Sequence, residues 1–277
     1  MEWEKAKTYI LITFVILNLC LAGLLFNENR RYTLTSDRER TILSVLSQNN
    51  INLYTLPMRR FAPMRRLDIS GFYYDIDELL PIFFSDPLPT RCEDVPFYSF
   101  RTDYSELTIT NGFVFFEILD TTAPNINPWL HDEDIFISQH FPDFVEDISF
   151  STFDGERVIF LQEYRGQKIE SNSIEFLITD EGITQIEMQF GRVLGHGGDP
   201  RMIFAPDEAL LTFMQRARSM AEENPIFITR MELVYYKEYA SDQPGTVYHA
   251  VPFYRIFIRG NDDHPFLINA YTNMIID

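Results

Sequence analysis

IEFLITDEGITQIEMQF, running from Ile174 to Phe190, contains two strand-like runs on either side of Asp180-Glu181-Gly182. In the second run Thr184, Ile186, Met188 and Phe190 alternate with Gln185, Glu187 and Gln189. Such period-2 alternation belongs to an antiparallel sheet with one face buried and one wet. Working outward, Ile148 to Phe153 and Arg157 to Tyr164 flank Asp154-Gly155, a type I′ hairpin signal. Downstream, Pro206 to Ala221 reads as a helix: proline suits its first turn, Asp207 and Glu208 favour its N-terminus, and Leu210, Met214, Ala217 and Ala221 share a face. Strands then return, Val251 to Arg259 turning through Gly260-Asn261-Asp262-Asp263 into Phe266 to Tyr271. Together these predict a β-rich domain over residues 143–277.

The preceding stretch has more mixed signals. Ser36 to Asn49 reads as a short helix with Ser36 as cap and Glu39 three residues on, as in a capping box. A second helix starts near Asp75, and Thr108 to Leu119 forms two strands turning at Asn111-Gly112. Pro124, Pro128 and Pro142 mark an acidic connector. Residues 27–142 therefore read as a first α+β domain. The predicted class is α+β: an N-terminal transmembrane helix followed by two small domains of antiparallel sheet with packed helices.

Tyr9 to Phe26 carries no charge over 18 residues. As a helix it covers about 27 Å, close to the ~30 Å hydrocarbon core of a bilayer. A cleaved signal peptide is the rival reading, but Leu21-Ala22-Gly23 is a faint cleavage site and apolar Leu24-Leu25-Phe26 follows it. An uncleaved anchor over residues 9–26 is the better fit, with residues 1–8 before it. Lys5 and Lys7 lie on one side, and Arg30, Arg31, Arg38 and Arg40 on the other, so charge bias leaves the orientation open. Phe14, Asn18 and Ala22 recur on one face of this helix. The Asn18 amide either bonds a partner helix, worth about 0.6–2 kcal/mol, or its own backbone or a water.

The chain has 277 residues, 41 acidic and 23 basic, for a net charge of −18. Nucleic-acid binding needs a clustered basic footprint, which this balance disfavours. Within residues 27–70, however, eight arginines face four acids, leaving −22 for residues 71–277. Arg30, Arg31, Arg59, Arg60, Arg65 and Arg66 are candidate membrane-surface contacts, at about 1 kcal/mol per close charge on anionic lipid. The alternative is that they pair with the acidic remainder of the chain.

Chemistry is harder to find. The two cysteines are Cys20, inside the apolar run, and Cys92, so neither a disulfide framework nor a cysteine zinc site is expected. The five histidines have no metal-ligand spacing, and His131-Asp132-Glu133-Asp134 reads as a solvated acidic loop. Gly195-His196-Gly197-Gly198-Asp199 lacks the Lys-Ser/Thr of a phosphate loop and reads as a mobile loop. There is no G-x-S-x-G elbow. Neither catalytic, cofactor-binding nor metal-ligating residues are assigned, and the expectation is a protein that is not an enzyme.

The order of several segments nevertheless resembles a known family. Trp3-Glu4-Lys5-Ala6-Lys7-Thr8 and Ile16-Leu17-Asn18-Leu19 open the chain, followed by Gln162-Glu163-Tyr164-Arg165-Gly166 and Ser171-Asn172-Ser173-Ile174-Glu175-Phe176. Asp207-Glu208-Ala209-Leu210, Leu233-Val234-Tyr235-Tyr236 and Val251-Pro252-Phe253-Tyr254-Arg255-Ile256 complete the series. This arrangement resembles the YycI (WalI) family, membrane-anchored regulatory partners of the YycG/WalK sensor histidine kinase. Ala205, where a Ser or Thr cap is commoner, and Tyr254, in place of tryptophan, depart from the pattern.

The resemblance implies a YycH/YycI-like fold and a non-enzymatic regulator of a two-component system controlling cell-wall metabolism. It implies a single-pass protein of the cell membrane with residues 1–8 cytoplasmic. Residues 27–142 would then be a membrane-proximal and 143–277 a distal extracytoplasmic domain. The implied partners are the kinase, a YycH-type sister protein and the bilayer, with Phe14, Asn18 and Ala22 as transmembrane contacts. Alternatives are an anchored envelope hydrolase and an anchored ligand- or peptide-binding module.

Overall fold

One strand, Gln167–Thr179, holds the architecture together, and it is reached through the elements that precede it. In a computed structural model, residues 2–71, 76–84, 89–92, 97–110, 113–120, 133–140, 148–153, 156–189, 191–237 and 247–276 are described. Helix α1 is Glu2–Arg31, and α2 is Ser36–Gln48. Strands β1 (Ile51–Leu53) and β2 (Met64–Gly71), helix α3 (Ile76–Phe83), and strands β3 (Thr90–Cys92), β4 (Tyr98–Arg101), β5 (Ser105–Thr110) and β6 (Phe113–Ile118) follow. After α4 (Glu133–His140) come β7 (Ile148–Phe153), β8 (Arg157–Tyr164), β9 (Gln167–Thr179), β10 (Gly182–Gln189) and β11 (Gly191–Arg201). Helix α5 (Pro206–Glu223) precedes β12 (Ile226–Lys237), β13 (Val247–Ile258), β14 (Asn261–Asn269) and β15 (Ile275–Ile276). The class is α+β.

The main sheet path is β11-β2-β13-β12-β9-β10-β6-β5-β4-β3, almost entirely antiparallel. Strands from both sides of residue 142 interleave in it: β2 lies between β11 and β13, and β6 pairs with β10. The cores divide the chain in another way. Leu79, Phe83, Phe116, Phe136, Ile174 and Phe176 belong to one cluster. A second brings Leu34, Ile42, Leu46 and Phe61 together with Phe213, Tyr254 and Ile268. Residues 34–61 thus pack with the C-terminal part of the chain, because α2 and β1 find their apolar complement on α5 and β12.

Phenylalanine accounts for much of the first core. Phe83 and Phe116 lie 4.9 Å apart between ring centroids, and Phe136 meets Phe176 edge-on at 5.5 Å. Such pairs add about 0.5–1.5 kcal/mol beyond their buried area.

Sequence and structure differ locally in instructive ways. The N-cap of α2 is Thr35, whose hydroxyl accepts from the Arg38 amide; Glu39, expected to complete a capping box, is buried and pairs with Arg59. At α5 the N-cap Ala205 has no side-chain oxygen, and Glu208 reaches back to accept from the Ala205 amide at 2.9 Å. In β10 a bulge between Ile183 and Gln185 resets the alternation, so that Ile183 is buried along with Ile186 and Met188. The turn after β13 is tighter than expected, with Ile258 paired to Asn261 and Gly260 at φ 81°. The turns at Asn111-Gly112 and Asp154-Gly155 and the proline connector lie outside the described residues, although β5 and β6, and β7 and β8, pair as the hairpin signals require.

The largest correction concerns Gly195–Asp199. Expected as a mobile loop, it lies within β11, with Gly195 opposite Asp68 and Gly197 opposite Arg66. A Cβ on Gly197 would land on the Asp68 side-chain carboxylate, which would have to move to admit it.

The halves of the sheet meet at β9. Ile169 pairs in parallel with Tyr235 of β12, while Ser173 to Thr179 pair with β10. Against β8 the register jumps, with Gln162 opposite Ile169 but Leu161 opposite Ser173. Glu170, Ser171 and Asn172 thereby fall in a bulge, and two of their side chains become crosslinks. Fully buried Asn172 donates to the Gln162 side-chain carbonyl at 2.7 Å and to the Gly191 carbonyl at 3.2 Å, and accepts from the Tyr248 hydroxyl at 2.8 Å. Burial pushes the Tyr248 hydroxyl up to about 12, so it remains a donor at neutral pH. Glu170 and Glu232 both receive the guanidinium of buried Arg255, the latter at 2.8 Å. Burial raises the Glu170 carboxyl above its ordinary value, and Arg255 opposes the shift.

Two substitutions test this junction in the full chain, by urea unfolding in detergent. Asn172→Leu orphans three buried polar groups and lowers stability by roughly 3 kcal/mol or more. Arg255→Met leaves two carboxylates facing one another and costs about 3–5 kcal/mol.

Candidate functional site: an arginine cleft at the root of the N-terminal helix

Helix α1 contains a stretch, Lys5–Leu24, long and apolar enough to cross a membrane, and none of it is buried against the rest of the chain. Its apolar side chains offer the body no packing surface, which is what a lipid-facing helix requires. Asn18 Nδ2 donates to the Phe14 carbonyl at 2.8 Å. This backbone bond uses one of the amide's donors, so the isolated chain satisfies Asn18 in part without a partner helix. Phe14 and Ala22 are exposed on the same helix.

The helix is joined to the body by a short backbone clasp. The Leu34 amide donates to Arg59 at 2.7 Å, the Phe61 amide donates to Tyr32 at 3.0 Å, and Thr33 bridges Arg60. Leu34 and Phe61 are buried in the second core. The root of α1 is therefore fixed to the segment that carries Arg59, Arg60, Arg65 and Arg66.

These arginines have different fates. Arg59 Nε donates to Glu39 Oε2 at 3.1 Å. Arg66 Nε lies 3.3 Å from Asp68 Oδ1, which also receives His249 Nδ1 at 2.8 Å. Arg30 and Arg31 are exposed in the last turn of α1. Arg60 and Arg65 are also exposed, and both line a cleft of about 660 Å³.

Across that cleft stand residues from β8, β9 and β11. Tyr164 and Gln167 flank the two-residue turn between β8 and β9, whose central residues Arg165 and Gly166 have φ of 52° and 78°. Positive φ at both positions is the type I′ requirement, and for arginine it is an uncommon conformation. The Arg165 guanidinium rests 5.4 Å from the Tyr164 ring centroid. His196 of β11 meets Tyr164 edge-on at 5.4 Å. Buried Tyr235 and half-buried Leu233 form the apolar side, with the Tyr235 hydroxyl donating to the Arg65 carbonyl at 2.8 Å.

Three arginines thus border one cleft, and among the described residues no aspartate or glutamate lines it. His196 registers this field. Its imidazole is held below its ordinary 6.5 by partial burial, then by the positive charges of Arg165 and Arg65. Sequence reasoning singled out Arg60 and Arg65 for their clustering but missed Arg165 and His196. The signal for Arg165 was the Tyr-Arg-Gly turn; nothing local marked His196 as its neighbour. His131 and Asp132 lie outside the described residues, and among the described ones no cluster of three histidine, cysteine or acidic side chains has metal-binding geometry.

No family model matches this sequence, and no curated protein matches it. Among solved structures the chain is similar to an uncharacterized protein from Eubacterium rectale ATCC 33656, with 9% identity, a TM-score of 0.50, and coverage of 82% of this chain and 91% of that one. That likeness is one of fold. It is also similar to YycH from Bacillus subtilis, with 11% identity and a TM-score of 0.47, covering 85% of this chain and 62% of YycH.

Because His196 binds its proton less tightly when folded than unfolded, acidification through 6.5 favours the unfolded chain at this site. Arg165→Gln is expected to raise the His196 titration midpoint toward 6.5, as followed by imidazole NMR in the full chain.

Proposed function

We propose that this chain is a single-pass, non-enzymatic regulator of a YycG/WalK-type sensor histidine kinase, assembled with a YycH-like partner. Residues 1–8 are cytoplasmic and the α+β body extracytoplasmic. The observation that carries the reading is the clasp at residues 32–34 and 59–61, which fixes an unburied apolar helix to a folded body. A tether would need no such joint; a device that transmits a change between body and membrane does. The sequence resemblance to the YycI family supplies the kinase as the receiver. A regulator of this kind works if its contacts differ in free energy between the kinase's active and inactive states. Phe14, Asn18 and Ala22 provide the helix face for those contacts.

Co-purification from gently solubilised membranes tests this. The full chain is expected to bring down the kinase, and a copy with residues 9–26 replaced by an unrelated spanning helix is expected to lose it. Retention in both would move the contact to the body, and absence in both would remove the kinase from the reading. Asn18→Leu is expected to weaken the assembly by roughly 3- to 30-fold, the equivalent of about 0.6–2 kcal/mol. Unchanged recovery of the kinase would exclude Asn18 from the contact.

A second reading, an anchored ligand-binding module, is favoured by one observation: the arginine cleft.

A further inference from the structure

We infer that the cleft between β2, the β8–β9 turn and β11 binds a phosphate-bearing ligand, with Arg60, Arg65 and Arg165 holding the oxyanion. This inference does not depend on which kinase, if any, the chain regulates.

In a chain of net charge −18, several arginines are matched by acids, among them Arg38 with Asp207, Arg59 with Glu39, Arg66 with Asp68 and Arg157 with Glu175. Arg60, Arg65 and Arg165 form no ion pair among the described residues, although acids outnumber bases almost two to one. Three guanidiniums around one concavity repel each other unless an anion joins them, and the planar guanidinium fork suits phosphate oxygens.

Shape and lining agree with this. A cleft of about 660 Å³ falls within the usual size range of small-molecule sites. Gln167 lines it, and its side-chain carbonyl oxygen is buried without a hydrogen-bond partner. Rotated by half a turn, the same amide presents a donor. The unusual backbone of Arg165 is kept in a turn where glycine, asparagine or aspartate would be at ease, a placement that points to a use for its side chain. Tyr164, Tyr235 and Leu233 offer an apolar wall to whatever carries the phosphate.

The cleft lies beside the root of α1, since Arg60 both lines it and bridges Thr33. The apolar stretch ends at Leu24, and α1 continues to Arg31, about 10 Å further along the axis. The clasp then leads directly to Arg60. A lipid headgroup and a soluble phosphate ester share this chemistry.

The test uses the full chain in phosphatidylcholine nanodiscs, following the His196 imidazole by NMR. One arm titrates inorganic phosphate and glycerol phosphate; the other adds phosphatidylglycerol to the discs. A saturable shift in the first arm assigns a soluble phosphate, and a shift confined to the second assigns a headgroup. In either case Arg165→Gln and the double variant Arg60→Gln/Arg65→Gln are expected to weaken the response by about tenfold or more. Arg192→Gln, an exposed arginine of β11 outside the cleft, is expected to leave it unchanged. The inference is overturned if no probe moves His196, or if Arg192→Gln weakens the response as much as Arg165→Gln does.

Discussion

At Glu170–Asn172 a bulge in β9 lets one strand pair with β10 on one side and β12 on the other. A long strand that serves two cores must change partners along its length, and β9 does so where its register against β8 jumps. A bulge leaves polar groups without ladder partners, and burying them unsatisfied would cost more than the sheet gains. Here the side chains at the jump turn the defect into a joint. Asn172 donates to β8 and β11 and accepts from β13, while Glu170 meets Arg255, which also holds Glu232. Buried ionic groups of this kind are weak sources of net stability, but removing one partner is strongly destabilising because the other is left buried and uncompensated.

That joint also shapes the cleft. Residues 164–167, which turn the chain from β8 into β9, stand beside β11 as β9 runs toward β12 and Gly191 approaches Asn172. Gly191 has no room for a side chain, since a Cβ there would meet Ile69 and the Tyr248 hydroxyl. Close glycine packing of β11 against β2 then brings His196 within reach of Tyr164 and the arginines.

The arginines of residues 27–70 illustrate how one composition serves two roles. Arg38 makes a two-point contact with Asp207 at the first turn of α5, joining the helices of the second core. Arg59 fastens the clasp segment to α2 through Glu39. With those charges matched, Arg60 and Arg65 remain at the cleft beside the root of α1, where the apolar helix joins the body.

Local chemistry made much of this legible from sequence. The long apolar N-terminal helix, the hairpins and helices α2, α3 and α5 all follow from periodicity, turn residues and uninterrupted apolarity, which act over a few neighbouring residues. Strands β2 and β11 did not show, because β11 is glycine-rich and lacks alternation, and its partner lies more than a hundred residues earlier. The cleft was half visible: Arg60 and Arg65 stood out as a cluster, but their convergence with Arg165 and His196 did not. Which arginines find a carboxylate and which face an open cleft was decided by tertiary structure alone. Charge pairing depends on separation in space, and here that separation is set by strands from distant parts of the chain meeting across one bulge.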